Sequence, residues 1–268
     1  MYNAFFGFNK KPFRKTPDPQ FIFMSPCHKQ AYERMRYCVE EKEIMLLTGG
    51  IGMGKTTLSR YLIDTLEPEE AYRPVLIINP SVSPNQLLRA IVQQMGAKKP
   101  KYFKSALLDQ LQDLLFSAFA AGITPVIILD ESQLIRRKAT YEELRLLTNF
   151  QLDDENLFAL ILIGQPELEK KMSRPNMEAF RQRIGMRYLL KPLAPPEVRE
   201  YIAFRLQTAG GAADLALPEA VDLVAATSGG VPRIINNIMS LALLQAFSLG
   251  EKTLTKELVA DAVKELKL

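Results

Sequence analysis

Along the chain, short runs that are apolar at almost every position alternate with longer stretches whose apolar residues recur every three or four positions. Four runs stand out, at 44–50 (IMLLTGG), 73–79 (RPVLIIN), 124–131 (TPVIILDE) and 157–164 (LFALILIG). Unbroken apolarity over such short lengths predicts strands buried on both faces, as in a parallel sheet with helices on each side. Helical spacing marks 28–41, 59–66, 84–95, 105–122 and 140–152. Ser83 and Pro84 are expected to open one of these helices, and Ser105 and Gly122 to bound the next. Strands alternating with helices predict an α/β fold. From about Leu193 the strand pattern stops. A proline-dense stretch at 191–196 reads as a hinge, and helical patterns at 197–211, 218–230, 232–250 and 255–266 predict a small all-α domain. The first residues form an aromatic arm, with Phe5, Phe6, Phe8, Phe13, Phe21 and Phe23 spaced by Pro12, Pro17 and Pro19, expected to pack onto a body. The expected organisation is an arm and α/β domain over 1–192 and a helical domain over 193–268.

Composition narrows the class without changing this picture. Of 268 residues, 47% are hydrophobic and 24% charged, which excludes a disordered, collagen-like or fibrous chain. The 34 basic and 30 acidic residues leave a net charge of +4, compatible with acidic partners but not requiring them. Two cysteines and one histidine are too few for a disulfide framework or a zinc cluster, so Cys27 and Cys38 read as packing or surface thiols in a reducing compartment. The opening residues lack the apolar core and cleavage site of a signal peptide, and nowhere is there a run of about 18 apolar residues. No membrane span and a cytoplasmic location are expected.

The segment Gly49-Gly50-Ile51-Gly52-Met53-Gly54-Lys55-Thr56 matches the phosphate loop G-x-x-x-x-G-K-[ST] in full, between a strand and a helix. Glycines there let backbone N–H groups curl round phosphate oxygens, and the helix N-terminus adds partial positive charge. Lys55 is expected to reach the β- and γ-phosphates of ATP, Thr56 to offer its hydroxyl to Mg²⁺, and Thr57 to complete the nucleotide-binding set. The apolar run ending in Asp130-Glu131 delivers two carboxylates to the strand edge where α/β ligands bind. Asp130 is expected to hold Mg²⁺, and Glu131 to polarise an attacking water.

This arrangement resembles the AAA+ P-loop ATPases, and within them the ATPase domain of the general secretion pathway protein A family. The residues carrying the second resemblance are Met1-Tyr2, Phe6-Gly7, Pro12-Phe13, Pro17-Asp18-Pro19, Ser25-Pro26, His28 and Leu47-Thr48-Gly49. Further along they are Ile163-Gly164-Gln165-Pro166, Arg181-Gln182-Arg183-Ile184, and Gly230-Val231-Pro232-Arg233 with Ile235-Asn236. The resemblance implies a helical lid after the α/β domain and a polar sensor at Gln165, a longer side chain than the usual Asn, Ser or Thr. It implies a second sensor at Arg233, and Asn79, closing the second strand, as a hydrogen-bond partner that restrains Glu131. It also implies an arginine finger serving a neighbouring subunit's nucleotide. Arg181, Arg183 and Arg187 are candidates, and Arg183 is chosen.

Homo-oligomerisation with nucleotide at subunit interfaces is therefore expected, with a role as motor or switch in cell-envelope or secretion-system assembly and an envelope-assembly protein as partner. The alternative is a DNA-binding AAA+ regulator of transposition that recruits a transposase, since both classes share these motifs. Lys10, Lys11, Arg14 and Lys15 interleave with Phe8 and Phe13, and Arg136-Arg137-Lys138 follows the acidic strand end. The resemblance implies that the first is a structural arm near the adenine pocket, and the second is expected to be a solvated loop, although basic pore loops follow phosphate backbones.

Overall fold

Burial on both faces is what the apolar runs require, and the computed structural model gives it to three of the four in a five-stranded sheet in the order β2-β3-β6-β1-β7. The run at 73–79, expected to be buried, lies on an outer strand and is buried only at Val75 and Ile77. The described residues are 2–14, 16, 18–152 and 155–268, so Met1, Lys15, Pro17, Asp153 and Asp154 lie outside them. The strands are β1 (Ile44–Gly49), β2 (Tyr72–Ile77), β3 (Thr124–Leu129), β6 (Ala159–Gly164) and β7 (Met186–Leu190). All neighbouring pairs are parallel, with Ile44 opposite Leu160 and Met45 opposite Met186. Every residue of β1 and β6 is buried.

The chain divides into two compact units, and residues 29–51 with 59–190 form the one built on this sheet. Its helices are α2 (Pro26–Glu40), α3 (Lys55–Leu66), α4 (Pro84–Gln94), α5 (Lys104–Ala120), α6 (Lys138–Leu147), α7 (Pro166–Met172) and α8 (Glu178–Arg181), the first two beginning outside the unit. Leu46, Leu129 and Leu162 of the strands share a core with Ile91, Leu111 and Tyr141 of the helices. Ser83 caps α4 as expected, in a reciprocal capping box with Gln86.

Several boundaries differ from the sequence reading. β7 was not anticipated. It is an edge strand whose Arg187 and Leu189 are exposed, so it lacks the continuous apolar run that marks the central strands. The helix expected over 140–152 ends at Leu147, and Gln151–Leu152 (β4) pairs antiparallel with Glu155–Asn156 (β5). Ser105 lies inside α5, whose N-cap is Phe103 and carries no side-chain cap bond. β2 stops at Ile77, so Asn79 does not close it.

β2 is also an outer strand of the sheet. Pro74, in its middle, has no N–H to offer a further strand. At Leu76 the Gln94 side chain supplies both halves of a strand pairing: its Oε1 accepts from Leu76 N at 2.9 Å and its Nε2 donates to Leu76 O at 2.8 Å.

The second unit comprises residues 1–28, 52–58 and 191–268. It contains α1 (Tyr2–Phe6), α9 (Pro195–Thr208), α10 (Pro218–Ser228), α11 (Pro232–Leu249) and α12 (Lys256–Leu266). The aromatic arm, grouped with the α/β part in the sequence reading, shares its core with these helices. Phe8, Phe13 and Phe21 are buried among Tyr201, Ile202, Ile235 and Met239. A buried arginine ties the arm down: Arg205 Nε donates to Pro12 O at 2.6 Å and its Nη1 to Tyr201 Oη at 2.8 Å, and the guanidinium lies 5.1 Å from the Phe21 ring centre. Ser240 Oγ adds a bond to Phe13 O at 2.8 Å. Gly230, at φ +74°, is required here, because a Cβ would run into the Leu193 carbonyl.

Candidate phosphate-binding and hydrolytic residues

Two of the phosphate-loop glycines have backbone angles that side-chain-bearing residues rarely adopt. Gly52 and Gly54 have φ of +81° and +89°, and α3 starts at the next residue, Lys55. Space is as tight as conformation. A Cβ on Gly52 would lie 2.5 Å from Arg233 Cβ, and one on Gly54 would lie 3.1 Å from His28 Nε2. Arg233, expected as the second sensor, starts α11 with an exposed side chain, and its backbone N–H donates to Gly52 O at 3.2 Å. Lys55 is only 7% exposed, so the charge most able to meet phosphates is held in a largely dry position.

His28 supports the same loop from behind. It is 5% exposed, its Nε2 lies 2.9 Å from Met53 O and its Nδ1 2.8 Å from Ser25 Oγ. A carbonyl can only accept, so Nε2 carries the proton and Ser25 Oγ donates to Nδ1. Burial pushes the imidazole pKa below its ordinary value, outweighing the Met53 bond and Glu197, so the neutral ring is the folded form. A depressed histidine pKa means that the unfolded chain binds a proton the folded chain refuses. Stability is therefore complete above the unfolded value and falls as the pH drops through and below it. Because His28 is the chain's only histidine, the melting temperature is expected to be lower at about pH 5.5 than at about pH 7.5, and His28→Gln to flatten that difference.

At the end of β3 the two carboxylates are treated differently. Asp130 is 1% exposed, and its Oδ1 accepts from Glu131 N at 2.8 Å. Glu131 has φ +55° and ψ +35°, a left-handed conformation unusual for a side-chain-bearing residue and costing about 1–3 kcal/mol. Neighbouring groups impose it. Leu134 N donates to Glu131 O at 2.9 Å, and Tyr141 Oη to Ser132 O at 3.0 Å. Lys171 Nζ donates to both Gln133 O (2.9 Å) and Ile135 O (2.6 Å). Desolvation and the nearby Arg174 lower the Lys171 pKa. Gln133 joins this turn to the next strand: its Nε2 donates to the Glu131 carboxylate, and its Oε1 accepts from Gln165 N at 3.1 Å.

Gln165 follows β6 and is half-buried at the N-cap of α7, on the same strand edge as Asp130. Asn79 departs from its expected role. It is exposed two residues beyond β2, before Pro80, and its Oδ1 accepts from Ser81 N at 3.1 Å, while the Glu131 carboxylate is bonded by Gln133. An Asx-type turn has taken the amide. The three finger candidates separate cleanly. Arg187, on β7, pairs with Glu169 at 2.7 Å, and Arg181 makes a loose 3.9 Å contact with Glu178. Arg183 is exposed and donates to Asn149 Oδ1 at 3.1 Å. Arg183 precedes β7 at the edge where β1 begins, so the length of a six-residue strand, roughly 17 Å, separates that edge from Gly49. Arg136 and Arg137 are exposed.

The chain matches the AAA domain family over residues 38–172. It belongs to that family. It is 39% identical over 254 residues to the general secretion pathway protein A of Aeromonas hydrophila, an alignment covering 93% of this chain and 46% of that protein. The chain thus spans about half the length of that curated relative. Its fold is similar to that of the Aeropyrum pernix ORC2 protein, solved in ADPNP–ADP complexes, with a TM-score of 0.72 at 19% identity, covering 96% of this chain and 72% of that one. The Aeropyrum pernix ORC1 protein, solved in complex with DNA, gives a TM-score of 0.71 at 19% identity, covering 96% and 69%. The parallel sheet flanked by helices is thus the AAA+ P-loop fold, and family membership supports a nucleotide-driven function in general.

To the sequence expectation the structure adds Gln133 and Lys171, and it gives His28, already part of the resemblance, a place against the phosphate loop. The donor chemistry fits the cofactors the family implies. Thr56 and Asp130 each offer a hard oxygen suited to Mg²⁺, and the loop combines Gly52, which leaves no room for a Cβ, with a helix N-terminus and a buried ammonium suited to phosphates.

Proposed function

We propose that this chain binds ATP with Mg²⁺ and hydrolyses it. The observation that carries the reading is the phosphate loop itself, a full motif in which Gly52 and Gly54 adopt left-handed angles ahead of Lys55. Residues Gly49 to Thr57 cradle the nucleotide, Lys55 neutralises the β- and γ-phosphates, and Thr56 and Asp130 hold the metal. Magnesium, when bound, supplies charge neutralisation on the phosphate oxygens. Glu131 accepts hydrogen bonding from the attacking water and takes up its proton as hydrolysis proceeds, while Gln133 keeps the carboxylate oriented. Gln165 and Arg233 sense the γ-phosphate. Asn79, held in its own turn, has no part in this scheme.

The active form is a homo-oligomer in which Arg183 of one copy stabilises charge on the nucleotide of the next. Two facts support this. Arg183 lies at the strand edge remote from its own Gly49, and its side chain is exposed, with the neutral Asn149 amide as its hydrogen-bond partner among the described residues. The biological role is that of a cytoplasmic motor or switch in assembly of a cell-envelope secretion system, supported by the 39% identity to a general secretion pathway protein A. The specific rate of ATP hydrolysis is expected to rise with protein concentration, and Arg183→Ala to flatten that rise while leaving nucleotide affinity intact. Normal turnover in Arg183→Ala alongside loss in Arg181→Ala moves the finger to Arg181. Tight, salt-sensitive duplex binding together with transposase recruitment replaces the secretion role with the DNA-regulator role.

A further inference from the structure

The connection between α4 and α5 displays two aromatic side chains where a folded domain ordinarily hides them. Tyr102 and Phe103 are 76% and 73% exposed, more than any other large hydrophobic residue among those described. Their surroundings are cationic. Lys98, Lys99 and Lys101 flank the pair and are all exposed, while Lys104 is paired with the Glu143 carboxylate at 2.5 Å. No carboxylate side chain occurs between Glu70 and Asp109, against an average of roughly one residue in nine along the whole chain. We infer that this loop is a docking surface for an anionic lipid bilayer, with Tyr102 and Phe103 entering the headgroup region and the lysines meeting lipid phosphates.

The loop is held in place, so the pair is presented rather than merely loose. Lys101 N donates to Gln110 Oε1 at 2.9 Å, Gln110 Nε2 donates to Lys99 O at 3.4 Å, and Arg89 Nη2 donates to Lys101 O at 3.0 Å. Aromatic rings at the water–lipid boundary beside clustered lysines are the chemistry by which peripheral proteins hold anionic membranes. Nucleic acid also takes lysines and aromatics, but single strands are gripped by rings offering parallel faces to successive bases. Here the two rings stand at 89° with centres 5.4 Å apart, and the Arg89 guanidinium lies 5.7 Å from the Tyr102 ring centre. That geometry suits a wedge better than a stacking platform.

The chain contains no tryptophan, so Phe103→Trp is a clean reporter. Its emission is expected to shift to the blue on adding vesicles of phosphatidylcholine and phosphatidylglycerol in equal parts, and to stay unchanged with phosphatidylcholine alone. In co-sedimentation with the mixed vesicles, Lys98→Ala, Lys99→Ala and Lys101→Ala should each weaken binding about fivefold. Tyr102→Ser with Phe103→Ser should remove it while the melting temperature stays that of the parent, since both side chains lie outside the core. Absence of vesicle binding by the parent chain overturns the inference, as does unchanged binding by the double serine variant. If the double variant loses oligonucleotide binding and keeps vesicle binding, the surface is a nucleic-acid site. If it loses self-association and keeps vesicle binding, a second copy of the chain covers the pair.

Discussion

Lys55→Ala is expected to weaken nucleotide binding about 30- to 4,000-fold. Removing one partner of a buried, hydrogen-bonded charge pair costs about 2–5 kcal/mol, at 1.4 kcal/mol per tenfold. Lys55, at 7% exposure, falls in that class. Water cannot easily replace its ammonium in so enclosed a place, and the loop's backbone N–H groups are dipoles rather than full charges. Isothermal titration with ATP and with ADP checks the result. Affinity within a factor of two or three of the parent would remove Lys55 from the phosphates.

Glu131→Gln separates binding from turnover. The amide keeps the shape and can still accept from Gln133, so the left-handed turn and the Asp130 contact to its backbone survive. It has no basicity with which to take a proton from water. Groups in this role contribute about 10²–10⁴ in rate, so kcat is expected to fall by at least about a hundredfold with ATP affinity unchanged. A phosphate-release assay beside a binding titration reads both. Equal losses of affinity in Glu131→Gln and Lys55→Ala would undo the division of roles between them.

What the sequence made legible follows the range of the interactions concerned. The phosphate loop, the Asp130-Glu131 pair and the Ser83 cap are contiguous motifs whose geometry is set within a few residues, and the central strands announce themselves by unbroken apolarity. β7 escaped because an edge strand alternates, and its exposed Arg187 reads as loop. The arm's attachment to the C-terminal helices escaped for another reason: the Arg205 bond to Pro12 joins positions far apart in the chain, and no local pattern encodes it. The roles of His28, Gln133 and Lys171 are hidden in the same way, since each acts on a loop through a partner dozens of residues distant. Asn79 shows the reverse failure, where a local rule, the turn before proline, overrode the role inferred from resemblance.

The treatment of β2 bears on how such a chain keeps its associations selective. A protein that works by self-association raises its own local concentration, and an open strand edge under those conditions invites backbone-to-backbone pairing between copies, the first step towards aggregation. Pro74 deletes one donor from that edge, and the Gln94 amide occupies the N–H and C=O of Leu76 as a single-residue imitation of a neighbouring strand. One side chain thus closes a slot that a foreign β-segment would otherwise fill. In the proposed oligomer, contacts between copies would thereby be directed away from this edge of the sheet and towards surfaces where side chains, with their greater specificity, choose the partner.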